Sequence, residues 1–286
     1  QAVTLVESNK DSKTSPRQLD SDRSLDTEGT ASAWPCPTMG GRVNALIVGA
    51  SRGIGLALVR ELVSRKFDQV IATHRNHSAQ LRDLQGDVGE SLALMPLDVT
   101  DEFSIAKAAA RVKLMVDRVH LLIHVAGILH NENINPERRL EQIDGDALAH
   151  SFAVNATGPA LIAKYFHPLL GHNDRAVVAN ISARVGSIAD NRLGGWYGYR
   201  ASKAAQNMVT KTLSIELSRR SPNVICVALH PGTVDTGLSE PFQRNVPAGA
   251  LFSPERAAQQ LLSVIDSLTA ADSGHFFDWK GSPIEW

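Results

Sequence analysis

Residues 44–62 read NALIVGASRGIGLALVREL, and this stretch passes from an apolar run through a glycine-rich turn into a helix-like pattern. Gly49, Gly53 and Gly55 have the spacing of a dinucleotide-binding turn, in which missing side chains let the backbone approach a phosphate. The segment GASRG, centred on Ser51, also fits the nucleophile elbow of a serine hydrolase. Both motifs need a strand, a turn and a helix, so the stretch predicts that local structure on either interpretation.

Short β-branched or aliphatic runs alternate with longer helical patterns along the rest of the chain. The predicted strands are NALIVG, QVIATH, LALMPL, VHLLIHVAG, AVVANIS, NVICVALH and HFFDW. Helical patterns occupy residues 54–66, 101–117, 146–170, 198–220 and 254–269. This alternation is typical of repeated βαβ units. We therefore predict an α/β fold, a single doubly wound domain with a mostly parallel seven-stranded sheet, over residues 41–286.

Composition narrows the function classes. A formal net charge of -1 and a pI near 6.9 give no field that would draw the chain to nucleic acid or to an anionic membrane. No apolar run approaches the roughly 20 residues of a membrane span. The two cysteines provide no disulfide framework, which favours a reducing compartment. We expect a soluble intracellular protein, in the cytoplasm or an organelle matrix and not secreted, that acts on a small molecule.

Residues 1–40 differ in kind from the rest. They are rich in Ser, Thr, Asp and Pro and show neither helical nor strand periodicity, which is typical of disordered or partner-wrapping segments. They lack the apolar core of a signal peptide, and their acidic residues argue against an intact transit peptide. We expect a polar extension that is either flexible or docked on a partner.

The glycine turn favours phosphate binding because a helix N-terminus offers unpaired amides and about half a positive charge. A serine hydrolase stays open as an alternative, since Ser51, Asp235 and His275 follow the chain order of a Ser-Asp-His triad. That alternative needs strands upstream of the elbow to build an oxyanion loop. Here only residues 1–40 precede the first strand.

Charge near the turn predicts the type of dinucleotide. The strand QVIATH ends without the acidic residue that would bind a ribose 2′-hydroxyl, and it is followed by Arg75. Arg52 adds a second cation inside the turn. Because guanidinium groups bind phosphate in a forked geometry, these residues favour NADP(H) over NAD(H).

The stretch YGYRASK contains an acid–base candidate. Tyr199 and Lys203 are four residues apart, so on a helix they share one face. A neighbouring ammonium favours the ionised phenol and would lower its pKa from about 10 toward neutrality. Tyr199 can then serve as general acid or base for an alcohol/carbonyl pair, whereas Tyr165 and Tyr197 lack a lysine at this spacing.

The ordered motifs resemble the short-chain dehydrogenase/reductase family over residues 43–286. After GASRGIG come LDVT, an Ala-Gly pair behind the fourth strand, VNATG, a serine after the fifth strand, YGYRASK and PGTVDT. AGILH, ISARVGSI, DNRLGGWY and the final tryptophan resemble the branch of C-factor proteins and sniffer-type carbonyl reductases. The resemblance implies a Rossmann fold, an NAD(P)(H) cofactor and reversible reduction of a carbonyl to an alcohol.

The resemblance also implies roles for individual residues. Tyr199 would exchange the proton, Lys203 would tune it and bind the nicotinamide ribose, and Asn155 would hold a water for proton relay. The residues expected to contact the cofactor are Gly49, Ser51, Arg52, Gly53, Ile54, Gly55, Arg75, Asp98, Val99, Ala126, Gly127, Tyr199, Lys203, Pro231, Gly232, Val234 and Thr236.

Two departures from the family pattern concern this set. His124 and Val125 stand where the family usually has two asparagines, and Ala183 stands where it often has the second serine of a pair. We expect Ser182 to supply the catalytic hydroxyl, while Ser187 or a site without serine stays open.

Other possibilities remain at this point. His120 and His124 are too far apart on a strand rising about 3.3 Å per residue to share one ion, so no metal is expected. Trp196 and Phe242 would either wall the substrate site or simply pack. A homodimer is open, and so is a non-catalytic Rossmann subunit tethered to a larger assembly by residues 1–40.

Overall fold

A computed structural model describes residues 42–76 and 78–286 of the chain. The helices are α1 (Gly53–Ser64), α2 (Ala79–Val88), α3 (Glu102–Met115), α4 (Gly145–Phe152), α5 (Gly158–Leu170), α6 (Tyr197–Arg220) and α7 (Pro254–Ser267). The strands are β1 (Asn44–Val48), β2 (Gln69–His74), β3 (Leu92–Pro96), β4 (Leu121–His124), β5 (Ala176–Ile181), β6 (Val224–His230), β7 (Thr233–Val234), β8 (Leu251–Phe252) and β9 (Phe276–Asp278). The predicted extension, residues 1–40, lies outside the described residues.

Seven strands form one parallel sheet in the order β3-β2-β1-β4-β5-β6-β9. The prediction of a doubly wound α/β fold with a seven-stranded sheet is confirmed. β7 and β8 form a separate parallel pair that the sequence analysis did not predict. The strand order reverses between β1 and β4, and such a reversal opens a crevice at the carboxyl ends of the strands.

Burial on both faces explains the continuous apolar runs of the strands. On β1, Ala45 and Ile47 pack into one core cluster, together with α1 and α7. Leu46 and Val48 point the other way and pack into the second cluster, with α3 and α5. A parallel sheet covered by helices on both faces requires this pattern.

The helices differ from the predicted patterns in two places. α2 was not predicted because it is mostly polar and buries a single residue, Leu81. The pattern at 146–170 is interrupted by a π-helical turn, Ala153–Thr157, which separates α4 from α5. Within the described residues, no helix is both long and apolar enough to cross a membrane.

Histidines secure the amino-terminal edge of the sheet. The Asn44 N–H at the start of β1 donates to Nδ1 of His120 (3.2 Å). A ring nitrogen of His120, a ring nitrogen of His172 and a carboxylate oxygen of Asp174 lie within 4.8 Å of one another, a grouping that the sequence analysis did not anticipate. Arg118 pairs with the Asp174 carboxylate at 2.7 Å, so this acid already has a cationic partner. These contacts hold the segment before β4 against the start of β1.

His124 at the end of β4 makes folding stability depend on pH. It is wholly buried, and neither ring nitrogen finds a hydrogen-bond partner among the described residues. Burial, helped by the charge of Lys203, lowers the pKa of His124 to about 3 from its ordinary 6.5. The imidazole is therefore neutral in the folded protein but takes up a proton in the unfolded chain below about pH 6.5.

We expect the free energy of unfolding to fall as pH decreases below 6.5, by up to about 1.4 kcal/mol per pH unit from this residue. His124→Phe removes the titrating group, so its stability should decline less steeply between pH 6.5 and 4.5. Urea denaturation at several pH values measures the slopes, and His275→Gln, at an exposed position, is the matched control. Parallel pH dependence of wild type and His124→Phe would contradict the assignment.

Candidate active site

A cavity of about 730 Å³ opens at the carboxyl edge of the sheet, where the strand order reverses. Its walls come from the ends of β1 to β5, from α6 and from the loop after β6. This edge also carries the motifs that the sequence analysis singled out. The topology therefore brings residues from the whole length of the domain into one space.

The turn after β1 lies very close to the backbone beyond β4. Gly49 has a φ of 89°, and a Cβ placed on it would lie 2.7 Å from the Ala126 nitrogen. A Cβ on Gly55 would lie 2.1 Å from the Gly49 oxygen. Both positions thus require glycine for contacts within the fold. The first turn of α1 has no side-chain cap, because Arg52 at the N-cap position makes no such hydrogen bond.

Charged side chains line the cavity beside this turn. Arg52 and Arg75 both reach it, and neither forms an ion pair with the residues that the structure describes. Burial raises the pKa of Asp98. Hydrogen bonds from the N–H and hydroxyl of Thr100 and the charges of Arg75 and His150 lower it by more, so the net shift of the pKa is downward. This end of the cavity therefore combines an ionised carboxylate with two guanidinium groups that are available to an anion.

Asn155 lies in the π-helical turn and supports the cavity floor without lining it. Its Oδ1 accepts the Ile128 N–H (2.8 Å), and its Nδ2 donates to the Ile128 carbonyl (2.8 Å) and to Ser202 Oγ (3.0 Å). A Cβ on Gly127 would lie 3.3 Å from Asn155 Oδ1 and 3.5 Å from Lys203 Nζ. The amide and the ammonium therefore converge on the same point of the backbone. π-helical turns often mark functional positions.

Tyr199 and Lys203 share a face of α6, as the spacing predicts. Tyr199 is half-buried and lines the cavity, and the Lys203 Nζ lies 5.9 Å from its ring centroid. The ammonium donates instead to the Ile181 carbonyl (2.9 Å) and to Gln206 Oε1 (2.9 Å). Burial lowers the pKa of Lys203 to about 7.

The pKa of the Tyr199 phenol differs from the sequence expectation. A neighbouring ammonium was expected to lower it, but burial raises it well above its ordinary value of 10.0. The reason is the position of the charge. Lys203 is held by Ile181 and Gln206, so desolvation of the phenol dominates over attraction by the ammonium.

The start of α6 is built from an unusual backbone. Gly194, Gly195 and Trp196 have φ values of 63°, 65° and 51°, three successive left-handed residues. Trp196 is the only one with a side chain, and such residues adopt this conformation rarely. As the N-cap residue of α6 it makes no side-chain capping hydrogen bond. The first turn therefore needs partners from elsewhere in the chain.

Glu137 provides these partners from a distant loop. Its carboxylate accepts the Gly198 N–H (3.2 and 3.3 Å), and its backbone oxygen accepts the Trp196 N–H. A Cβ on Gly198 would lie 3.0 Å from the Glu137 carboxylate, which accounts for the glycine in YGYRASK. The sequence analysis missed Glu137 because it lies 61 positions from its partner. This acid caps the helix that carries Tyr199.

A chain of ring contacts runs from Tyr199 through Trp196 and Phe242 to His130, which itself lines the cavity. Trp196 packs edge-on against Tyr199 (6.2 Å between centroids) and against Phe242 (5.0 Å), and Phe242 in turn contacts His130 (5.7 Å). His130 Nε2 also lies 3.0 Å from the Gly237 oxygen. Trp196 and Phe242 are not among the residues that line the cavity. The sequence left open whether Trp196 and Phe242 form a wall of the substrate site or only pack against other residues. In this structure they pack against other aromatic rings.

The two serines proposed from the sequence occupy different surroundings. Ser182 lines the cavity and donates its hydroxyl proton to Asn207 Oδ1 (2.6 Å). Ser187 is buried beside the Asp190 N–H, which donates to its Oγ (3.1 Å), and it does not line the cavity. Ser182 is therefore the one placed to offer oxygen lone pairs to a bound molecule.

Most of the predicted site residues meet at the cavity. Those that line it are Gly49, Ser51, Arg52, Gly53, Ile54, Arg75, Asp98, Val99, Ala126, Gly127, Ser182, Tyr199, Lys203, Pro231 and Thr236. Gly55, Asn155 and Val234 lie outside the lining. Gly232 belongs to a different pocket, where its φ of 78° lets the chain turn against Phe252.

The serine hydrolase alternative is wrong. Ser51 lies at the carboxyl edge of the sheet, after β1, whereas His275 precedes β9 and so lies at the opposite edge. The Asp235 carboxylate accepts from Gln243 instead (2.9 Å). The triad suggested by chain order is not assembled, because Ser51 and Asp235 line the cavity at the carboxyl edge while His275 lies at the other end of the sheet.

Comparison with known proteins agrees with this geometry. Residues 43–247 match the short chain dehydrogenase family. The chain belongs to this family. It is 34% identical over 242 residues, 84% of this chain and 98% of the relative, to a 1-hydroxy-2-glutathionyl-2-methyl-3-butene dehydrogenase from Rhodococcus sp.. It is 37% identical over 147 residues to the C-signal of Myxococcus xanthus, covering 51% of this chain and 83% of that protein.

Solved structures of this short chain dehydrogenase family are similar throughout the domain. An NADPH-bound carbonyl reductase from chicken fatty liver shares 31% identity with a TM-score of 0.75, covering 86% of this chain and 95% of that one. The carbonyl reductase Sniffer of D. melanogaster shares 27% identity with a TM-score of 0.76, covering 86% and 100%. The resemblance to C-factor and sniffer-like proteins is confirmed, and the chain is an oxidoreductase of this type.

Removing the Glu137 carboxylate should destabilise the start of α6. Glu137→Ala leaves the buried Gly198 N–H without its acceptor, so we expect a loss of about 1–3 kcal/mol in the free energy of unfolding. Glu137→Gln keeps one acceptor oxygen and should lose less. Urea denaturation measures both, with Glu141→Ala at an exposed neighbouring position as the control. Equal stabilities of Glu137→Ala and the control would refute the capping role.

Proposed function

We propose that this chain is an NADP(H)-dependent oxidoreductase that reversibly reduces a carbonyl to an alcohol, with Tyr199 exchanging the proton. The observation that carries the proposal is the shared cavity, since Tyr199 and Lys203 line the same space as the glycine turn between β1 and α1. A phosphate-binding turn and an acid–base pair thus have access to the same bound molecules. Small carbonyl or alcohol compounds are the expected substrates.

A dinucleotide fits the residues present. The cavity volume lies within the roughly 300–1,000 Å³ typical of ligand pockets. Gly49 and Gly53 have positive φ values of 89° and 55° and line the cavity, so backbone rather than side chains faces a ligand here. The uncapped N-terminus of α1 offers amide donors to a pyrophosphate. The chicken carbonyl reductase, similar over 86% of this chain, was determined with NADPH bound.

The two guanidinium groups support NADP(H) in preference to NAD(H). Arg52 and Arg75 line the cavity without ion-pair partners among the described residues, so a 2′-phosphate would supply the missing negative charge. Asp98 forms no ion pair with either arginine among the described residues, so both guanidinium groups stay available to a phosphate. Its charge is partly balanced by hydrogen bonds from Thr100. The remaining contacts of the cofactor would come from the lining residues predicted above.

The cofactor supplies the hydride when bound, and the protein handles the proton. Tyr199, whose raised pKa keeps it protonated at neutral pH, donates that proton to the carbonyl oxygen as the alcohol forms. In the reverse direction the phenol must lose its proton, and the Lys203 ammonium favours the resulting phenolate. Ser182 contributes oxygen lone pairs in the cavity wall, and Asn155 holds the Ile128 backbone beside Lys203.

Apolar side chains indicate which substrates to test first. Ile128, Leu129 and Leu238 line the cavity together with Tyr199. Burying an apolar substituent against these residues would contribute roughly 25 cal/mol per Å² of area removed from water. A screen should therefore begin with carbonyl compounds that have an aliphatic or aromatic group beside the reacting carbon.

Tyr199→Phe should slow turnover strongly and leave cofactor binding largely intact. The phenylalanine keeps the ring but has no proton to donate, so we expect carbonyl reduction to slow by about 10²- to 10⁴-fold. NADPH oxidation followed at 340 nm with the carbonyl screen measures turnover, and fluorescence titration measures NADPH binding. Tyr165→Phe, on α5 and outside the cavity lining, is the matched control.

Two outcomes would count against the proposal. Normal turnover in Tyr199→Phe would exclude this residue as the proton donor. A wild-type protein that binds NADPH but reduces none of the compounds would favour the non-catalytic subunit that the sequence left open.

Arg75→Ala should weaken NADPH far more than NADH. Loss of one charged hydrogen bond to the 2′-phosphate corresponds to about 1.5–3 kcal/mol, or roughly 10- to 150-fold in Kd. NADH lacks that phosphate and should lose less than twofold. Titrations of both cofactors measure the ratio, and Arg60→Ala, exposed on α1, is the control. Equal losses for the two cofactors would exclude the charge argument.

A further inference from the structure

The Lys203 ammonium is buried among neutral acceptors. The side chain is 3% exposed, and its Nζ donates to the Ile181 carbonyl and to Gln206 Oε1, each at 2.9 Å. Among the described residues no carboxylate forms an ion pair with it. A charge removed from water in this way depends on hydrogen bonds for its stability. The Ile181 oxygen belongs to the backbone, whereas the Gln206 oxygen belongs to a side chain and can be removed by substitution.

Gln206 is costly to bury if packing is its only role. It is fully buried, three residues after Lys203 on the same face of α6. Its Nε2 has no hydrogen-bond partner among the residues that the structure describes. An apolar side chain of similar size would avoid this unpaired donor. An apolar residue at this position would, however, lack the side-chain oxygen with which Gln206 accepts the hydrogen bond from Lys203.

The other groups that face Lys203 do not supply a negative charge at neutral pH. From β4 comes His124, which is neutral, and from α6 comes Tyr199, which is protonated. The π-helical turn contributes the amide of Asn155, whose oxygen lies near the same backbone point. The positive charge of Lys203 is therefore stabilised chiefly by Ile181 and Gln206.

We propose that Gln206 is a positioning residue that holds Lys203 as a buried ammonium beside the cavity. The inference rests on the proposed function, because the charge matters for catalysis only if Tyr199 must become a phenolate during alcohol oxidation. Without the Gln206 oxygen, Lys203 would lose its proton more readily in the folded protein. Tyr199 would then lack the adjacent positive charge that favours its ionised form.

The first test measures stability and needs no substrate. Gln206→Leu should destabilise the protein more at pH 6, where Lys203 is protonated, than at pH 9, where it is neutral in the folded state. We expect the increase in the unfolding equilibrium constant to be roughly fivefold larger at pH 6 than at pH 9. In a Lys203→Met background this pH-dependent part should disappear, since no ammonium remains.

Thr210→Val is the matched control for this cycle. Thr210 is buried one turn further along α6 and accepts a hydrogen bond from Asn180 (2.9 Å). Its loss removes a buried polar contact of the same helix, and its cost should not vary between pH 6 and pH 9. Gln206→Glu keeps an acceptor oxygen and should restore the larger stability at pH 6. A Gln206→Leu cost that is equal at both pH values, or a pH-dependent part that persists in the Lys203→Met background, would overturn the proposal.

The second test measures catalysis. In Gln206→Leu the kcat of alcohol oxidation should fall by roughly fivefold at pH 6, where Lys203 of the wild type is charged, and the loss should shrink toward pH 9, where Lys203 is neutral in both proteins. The pH profile of kcat for Thr210→Val should superimpose on that of the wild type. A Gln206→Leu profile that also superimposed on it would contradict the proposed role of Gln206. An inactive wild type would instead refute the proposed function, while the stability cycle would still report on Gln206.

Discussion

The close approach of two backbones, at Gly49 after β1 and at Ala126 after β4, is the constraint on which the site depends. A Cβ at Gly49 would lie 2.7 Å from the Ala126 nitrogen, so these segments meet only because glycine stands there. Their contact lies where the strand order reverses. The N-terminus of α1, the two arginines and the cavity all follow from it. The glycine at position 49 is therefore needed both for the contact between these two segments and for the shape of the cavity beside them.

Local patterns were enough to predict the sheet and the cavity. β1 and its neighbours are buried on both faces, so each strand appears as an apolar run, and parallel strands bring their carboxyl ends to one edge. Helix α2 was missed because it buries only Leu81, and β7 and β8 were missed because two residues are too few to show a periodic pattern. The interrupted pattern at 146–170 hides the π-helical turn, since a single added residue barely changes the periodicity.

The site could be predicted as a set of residues but not as an electrostatic arrangement. The spacing of Tyr199 and Lys203 places them on one helix face, yet it does not reveal that Ile181 and Gln206 hold the ammonium. Desolvation then raises the pKa of the phenol where the spacing argument lowered it. The Glu137 cap was invisible for a similar reason, because its partner is distant in sequence. Residue spacing predicts which side chains share a helix face, but their pKa values and capping partners depend on burial and on contacts between distant parts of the sequence.

The π-helical turn at Ala153–Thr157 fixes the length of its helical segment. Each residue of an α-helix advances the chain by about 100° around the axis. Deleting one residue from this turn would restore regular α-helical geometry, but it would rotate everything on one side of the deletion by that angle relative to the other. Either Asn155 would leave Ile128, or the buried face of α5 would leave the core. Natural variation in this segment should therefore consist of exchanges of one residue for another, with the number of residues held constant.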